Sequence, residues 1–481
     1  MANLPLLSCL LLALCSLSLS ADVFVSIDCG SSASYKDENG ITWTGDDKYV
    51  KTGESRSVQS SNSSSHVADT LRVFTNNRSK NCYNIDSVKQ GRVLIRATFH
   101  YGNYDGKSSP PTFDLLFDGY VWGSVDTSGS LPALFEVIYV TKRESISVCL
   151  AQTETGQFPF ISALEIRSLE SSMYRAVGDS YPLFPRRRVA FGTNATIRFP
   201  DDPYDRLWRR DAFANGTIQV SSDARLSSGL TNDNPPPAVL KTAATAATPN
   251  STIDFFMGFP PFNVSVYINW YFTEVTRLKP NQTRSFYISK DNSPFSTPIV
   301  PPYGNCTELY VSNITVSSNT TFSLVPTENS TLPPLINAME VFRIGDYPLN
   351  DGTNKKDVQG LASLQEAFSL LQDWSGDPCL PSDLHNNSLQ GNIPDFLGTL
   401  PNLKILNLEN NQFNGSIPVS LSSKQGLVLR VGGNPGLCTS TTTCSIQAPA
   451  ANSSVKKKKK KNILEMLFAT IISSIIVLQF S

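Results

Sequence analysis

Phe160-Ile161-Ser162-Ala163-Leu164-Glu165-Ile166 recurs as Leu335-Ile336-Asn337-Ala338-Met339-Glu340-Val341, with Ile, Ala and Glu matched and apolar character kept at the other apolar positions. Two copies of one module are the simplest account of such a repeat. Each copy closes its module, which bounds the two at 21–175 and 185–345. Around them the chain reads as β. Val23 to Ile27, Arg92 to Phe99, Phe113 to Phe117 and Ser145 to Leu150 are short runs rich in β-branched and aromatic residues, parted by Gly, Pro, Asn and Ser. Long helical periodicity is absent, so the expected class is mainly β, with two tandem β-sandwiches rather than βαβ units.

Past residue 345 the composition changes. Asp357 suits the cap of a short amphipathic helix bearing Leu361, Leu364, Phe368 and Leu371. Asp373-Trp374-Ser375-Gly376-Asp377-Pro378-Cys379 then resembles the lead-in to plant leucine-rich repeats, so 346–379 is read as linker and lead-in. Leu384-x-x-Asn387-x-Leu389-x-Gly391-x-Ile393-Pro394 returns as Leu408-x-x-Asn411-x-Phe413-x-Gly415-x-Ile417-Pro418, and Leu437 continues the register. That spacing predicts a short leucine-rich-repeat solenoid over 380–445, with Asn387 and Asn411 bonding the turning backbone. Lys404, Ile405, Asn407 and Glu409 would face a partner. The first repeat departs from the pattern, placing Cys379 and Ser382 where Leu403 and Leu406 stand in the next, and the second lead-in Cys is missing. A segment lost between Pro381 and Asp383 would explain both and leave Cys379 as an odd thiol. So short an array is expected to dock elsewhere or stay partly unfolded.

The two ends set the compartment. The apolar run Leu4 to Leu19, with small residues at Ser18 and Ser20, predicts a cleaved signal peptide over 1–20. At the other end a Ser/Lys-rich spacer, 446–462, contains Lys456 to Lys461 and precedes an apolar tail, 463–481. As a spanning helix the tail would put its lysines on the non-cytoplasmic flank, against the positive-inside bias. A glycosylphosphatidylinositol (GPI) attachment signal fits better, with Asn452 and Ser453 as attachment candidates. A single span and plain secretion are the alternatives. The expected place is the secretory route and the outer face of the plasma membrane.

Sequons are dense, at Asn62, Asn77, Asn194, Asn215, Asn250, Asn263, Asn281, Asn305, Asn313, Asn319, Asn329, Asn386, Asn414 and Asn452. Cysteines left after signal cleavage include the disulfide candidates Cys29, Cys82, Cys149, Cys306, Cys438 and Cys444. Cys438 and Cys444 would close a short loop, and the first four allow three connectivities. His66, His100 and His385 form no ligand cluster with them, so no metal is expected. A net charge of −1 argues against a nucleic-acid partner.

Val25-Ser26-Ile27-Asp28-Cys29-Gly30, Asn81-Cys82-Tyr83, Arg96-Ala97-Thr98-Phe99, Tyr101-Gly102-Asn103-Tyr104-Asp105-Gly106 and Phe160 to Glu165 together resemble the extracellular malectin-like region of plant receptor-like proteins. The resemblance covers about 22–345. It implies two malectin-type sandwiches, a fold associated with carbohydrate in animal malectin and with peptide or cell-wall ligands in plant relatives. Sugar recognition needs aromatic faces beside hydroxyl-bonding groups. Tyr101, Asn103, Tyr104 and Asp105 offer both and are the ligand-binding candidates; a structural turn is the competing account of the same residues. Trp43, Tyr49 and Trp122 offer less, and Trp270, Tyr271 and Phe272 suit a core.

Enzymatic readings find no support, and no catalytic residue or cofactor is assigned. Kinase motifs are absent, and the Asp114/Asp118 pair suits a strand end better than a glycosidase. Two functions remain. The first is a cell-surface receptor-like protein that binds carbohydrate or peptide without a kinase, as co-receptor or decoy beside a transmembrane receptor kinase. The second is a structural wall glycoprotein held by its lysines and glycans.

Overall fold

The computed structural model describes residues 22–59, 66–75, 80–129, 131–211, 216–349, 363, 389–400, 403 and 405–438. Contacts divide the chain into two compact units, residues 1–350 and 351–481. The first unit is built on one eleven-stranded sheet. In spatial order it runs Ser34–Lys36, Thr42–Gly45, Phe24–Asp28, Ala163–Ser168, Gly91–Phe99, Ala133–Thr141, Leu183–Ala190, Ala338–Ile344, Val264–Phe272 and Thr307–Val316. Arg209–Arg210 adds a short parallel strand beside Val189 and Ala190. The sequence predicted two modules; it did not predict that one sheet would run through both.

The repeated segment does the same thing in each half. Phe160–Ile161 pairs with Thr70–Val73 in a small sheet, and after Ser162 the chain enters the large sheet as Ala163–Ser168. Leu335–Ile336 likewise pairs with Thr242–Ala246, and after Asn337 the chain enters the large sheet as Ala338–Ile344. The corner residues hold the crossing: Ser162 Oγ accepts from the His100 amide at 3.0 Å, and Asn337 Oδ1 accepts from the Thr273 amide at 2.7 Å. Matched sequence therefore marks matched corners between packed sheets.

Side-chain alternation along a strand sends successive residues to opposite faces. Val93, Ile95, Ala97 and Phe99 enter a first core with Phe113, Leu115, Ile146, Val148 and Phe160. A second core joins Val266, Trp270, Phe272, Met339 and Val341 to Phe286, Phe322 and Leu324. The other face of the central strands carries charge. Glu165, Arg96, Glu136, Arg188 and Glu340 stand one on each of five successive strands, linked at 3.1, 3.0, 2.6 and 2.5 Å. All five side chains are at most 5% exposed. Further side chains from both halves bond to this ladder. Asp205 accepts from Arg96, Arg167 and Arg198, while the Tyr174 and Tyr271 hydroxyls each donate to Glu340 at 2.9 Å.

Cys82 and Cys149 lie opposite each other on antiparallel strands and form a disulfide. Cys29 and Cys306 are buried free thiols, which removes both from the disulfide candidates: strand register, not sequence spacing, decides which sulfurs meet. Cys438 is disulfide-bonded. Its expected partner Cys444, the odd Cys379, the 346–379 linker apart from Ser363, the Pro381–Asp383 junction, and both chain ends lie outside the described residues.

The second unit is a parallel β-solenoid. Gln390–Asn392, Gln412–Ser416 and Gly436–Cys438 stack in one sheet, and Ile405–Asn407 pairs with Val428–Arg430 in another. Leu389, Ile393, Leu397, Leu403, Leu406, Leu408, Phe413 and Leu421 form its own core. Asn411 accepts from the Leu389 amide and donates to the Leu408 carbonyl; Asn434, which the sequence reading passed over, repeats this with Phe413 and Leu408.

The buried carboxylates differ in kind. Burial would raise Glu136, but Arg188 and Arg96 outweigh it and hold the carboxyl below its ordinary value. Asp233 is pushed up to about 7 by burial and by Glu308, although Tyr267 and Asn269 each donate to it at 2.6 Å. Burial also raises Asp28 to about 6 against hydrogen bonds from Thr70 and Tyr35. A carboxyl raised in the folded state favours folding when protonated, so its stabilisation is complete below about pH 4 and is lost as pH rises through 6 to 7. Carboxyls held low, such as Glu136, withdraw their stabilisation only below about pH 4. The unfolding temperature is therefore expected to rise as pH falls from 8 to 5 at constant ionic strength, and Asp233→Asn should flatten that rise; a profile falling over this range contradicts the assignment. Glu340→Ala strands Arg188 and two tyrosines and should cost about 3–5 kcal/mol in denaturant unfolding; a cost under about 1 kcal/mol would show that the ladder carries little.

Candidate functional site

The structure brings Tyr101, Asn103, Tyr104 and Asp105 together on one turn after the Gly91–Phe99 strand. Tyr101 is buried, and its hydroxyl donates to Asp105 Oδ1 at 2.5 Å and accepts from the Ser109 amide at 3.2 Å. Asn103 Oδ1 accepts from the Ser108 amide at 2.8 Å. The two tyrosine rings meet edge to face at 5.5 Å, and Tyr104 lies 5.5 Å from Phe160. Gly102, at φ +47°, packs against Val58 so closely that a Cβ would fall 2.4 Å from it. Most polar groups of this turn are thus used within it, while Asn103, Tyr104 and Asp105 stay half-buried.

Trp43 and Trp122 are buried, and Tyr49 packs against the first core. Trp270, Tyr271 and Phe272 are buried as well. On the solenoid, Asn407 and Glu409 are half-buried, and the Glu409 amide donates to Asn407 Oδ1 at 3.1 Å. Lys404 and the Ile405 side chain lie outside what is described. The described sequon asparagines, Asn194, Asn250, Asn263, Asn281, Asn305, Asn313, Asn319, Asn329 and Asn414, are all exposed. Among the described residues no group of His, Cys, Asp and Glu could hold a metal, and no helix is long and apolar enough to cross a membrane.

A concave site lies elsewhere, where the two halves of the large sheet join. Ala133–Thr141 and Leu183–Ala190 share a single registered pair, Ile138 with Leu183. The next rung would match Glu136 with Pro185, which has no N–H to give, and the ladder of Leu183–Ala190 with Ala338–Ile344 slips between Pro185 and Arg187. The strands part there around a cleft of 380 Å³. Its lining includes Leu134, Arg186, Arg187, Arg209, Arg210 and Asp211, with Glu136 and Arg188 from the ladder. Five arginines thus face two carboxylates.

Both carboxylates are engaged, Glu136 by Arg96 and Arg188 and Asp211 by Arg187 at 2.6 Å. Arg186, Arg209 and Arg210 are exposed and have no carboxylate within ion-pair distance among the described residues. Burial and the charge of Arg343 push Arg186 below its ordinary pKa. The Arg188 side chain is 3% exposed, and its Nη2 is buried without a hydrogen-bond partner. Sequence reasoning missed this cleft. The signals available were the run Arg186-Arg187-Arg188 and the pair Arg209-Arg210, in a chain otherwise balanced in charge.

The family model of the Malectin-like domain matches residues 27–344. The probable LRR receptor-like serine/threonine-protein kinase At1g05700 of Arabidopsis thaliana is 35% identical over 415 residues, covering 83% of this chain and 47% of that protein. The uncharacterized protein At1g24485 of the same plant is 35% identical over 353 residues, covering 72% of this chain and 70% of that protein. The chain spans about half the length of the curated kinases it matches. The Arabidopsis thaliana ANX2 ectodomain superposes with a TM-score of 0.57 at 20% identity, over 67% of this chain and 97% of that one. A plant complex of the peptide RALF23 with FER and LLG2 contains a similar chain, with a TM-score of 0.55 at 18% identity over 69% and 96% of the two chains. A motif set in the first unit, a sheet shared by two repeat halves and these matches converge: the chain belongs to the malectin-like family.

Proposed function

We propose that this chain is a receptor-like, cell-surface ligand-binding protein. It takes a carbohydrate or peptide ligand and works as co-receptor or decoy beside a transmembrane receptor kinase. The arginine-lined cleft carries this reading, because a concave site at a seam held by buried ion pairs is already shaped for a ligand. A structural wall glycoprotein would need no such site. FER, a similar ectodomain, is found in complex with a peptide, which supports a ligand role for the fold.

Two cores on one sheet support paired malectin-type β-sandwiches with bounds near 21–175 and 185–345. Asn411 and Asn434, bonding backbone at equivalent turns, support a leucine-rich-repeat solenoid over 380–445, with Lys404, Ile405, Asn407 and Glu409 toward a partner. Exposed sequons support glycosylation on the secretory route, and the Asn452–Ser453 stretch supports a lipid anchor at the outer face of the plasma membrane. The Tyr101–Asp105 turn is assigned to structure first, since most of its hydrogen bonds close within it and the Asn103 side-chain amide donates to Gln59, and to ligand contact second.

The cleft and the turn separate in one experiment. The secreted protein is screened against a cell-wall glycan array and a library of secreted plant peptides, and the best saturable binder is titrated. Arg209→Glu combined with Arg210→Glu should weaken it about tenfold or more, roughly 1.4 kcal/mol per tenfold, whereas Asn103→Ala should leave it within about threefold. No saturable binder, or the reverse pattern between the two variants, contradicts the cleft as the ligand site.

A further inference from the structure

The cleft has three properties that bear on the chemistry of its occupant. The first is its walls. Ala133–Thr141 pairs with Gly91–Phe99 on one side only until Val137 is passed, and Leu183–Ala190 pairs with Ala338–Ile344. Between Ile138–Leu183 and the Val189–Arg209 pair, no strand among the described residues adds to the facing edges at 133–136 and 185–188. Unpaired strand edges present N–H and C=O groups at the spacing of another strand.

The second property is charge. Arg186, Arg209 and Arg210 are exposed without carboxylate partners among the described residues, and below them Arg188 keeps a buried, unpartnered Nη2. A guanidinium presents its N–H groups in a planar fork that matches a carboxylate, and a buried donor left unpaired is costly. The third property is what the lining lacks. Leu134, Pro185, Val189 and Leu207 supply its apolar surface, and among the described residues no aromatic ring lines it. Sugar rings are bound by stacking on aromatic faces, so this lining suits a carbohydrate poorly.

We propose that the cleft takes an extended acidic peptide segment of a partner, which adds as a strand to the edges at 133–136 and 185–188 while its carboxylates engage Arg188, Arg186, Arg209 and Arg210. The inference rests on the cleft being the ligand site and narrows it to one ligand class. Main-chain hydrogen bonds would supply affinity and the arginines would supply choice of sequence and register, as in other cases of strand addition. The ion pairs at the exposed arginines would be screened by salt, and those near Arg188 less so.

The test uses the full chain and four synthetic probes: a ten-residue peptide alternating Glu with Val and Thr, the same peptide N-methylated at alternate residues, its Gln counterpart, and a galacturonate oligomer of equal charge. The acidic peptide should bind saturably and weaken with added salt. N-methylation, Glu-to-Gln exchange, and Arg186→Glu or Arg209→Glu in the protein should each weaken it about tenfold or more. Equal binding of the N-methylated peptide overturns strand addition, and equal binding of the Gln peptide overturns the carboxylate contacts. Tighter binding of the galacturonate oligomer overturns the peptide while leaving the cleft as a ligand site. If no probe binds a protein whose circular dichroism and unfolding temperature are intact, the inference fails; whether the library binder still depends on Arg209 and Arg210 then decides separately whether the cleft reading stands.

Discussion

The fold depends on a line of alternating charge buried across the large sheet. Glu165, Arg96, Glu136, Arg188 and Glu340 sit on five neighbouring strands, and each inner member bonds on both sides. Desolvating such groups is expensive, and in isolation a buried ion pair is weak evidence of stability. What such a line supplies is position. A register slip by one residue would send every one of these side chains to the opposite face, into the apolar cores. The ladder thereby locks the two repeat halves to each other at one register, and Asp205 on Arg96 and Tyr174 on Glu340 add contacts from each half across it.

The cleft follows from that lock. Pro185 lacks the N–H needed for the rung opposite Glu136, so the strands separate just where the ladder crosses from one half to the other. Glu136 and Arg188 then serve twice, as ladder members beneath and as cleft lining above. Arg188 spends Nε and Nη1 on Glu340 and Glu136, which leaves Nη2 over. Held by two carboxylates, this guanidinium cannot swing away, and a ligand meeting it would find it already placed.

Part of this was legible in the sequence. The repeat around Glu165 and Glu340 was visible because a chain crossing between packed sheets constrains a whole run of side chains. The charge partners of those glutamates were not, because Arg96, Glu136 and Arg188 are brought near only by strand register, and register between strands far apart in sequence leaves no local mark. The same blindness applied to the cysteines: Cys82 faces Cys149 through register, while Cys29 and Cys306 are buried as thiols. The turn at Tyr101 was recognisable from its glycines, Asn and Asp. Whether its hydroxyls and amides were free for a ligand depended on hydrogen bonds the sequence does not specify. The cleft is a missing rung, and only the arginine run beside a strand proline hinted at it.

If one sheet and one ion network join the halves, residues 22–349 should unfold as a unit. Differential scanning calorimetry of that unit tests this most directly. A single transition whose calorimetric and van't Hoff enthalpies agree is the predicted result. Two resolved transitions, one for each repeat half, would contradict a shared sheet and network, and with them a cleft held in place by the seam.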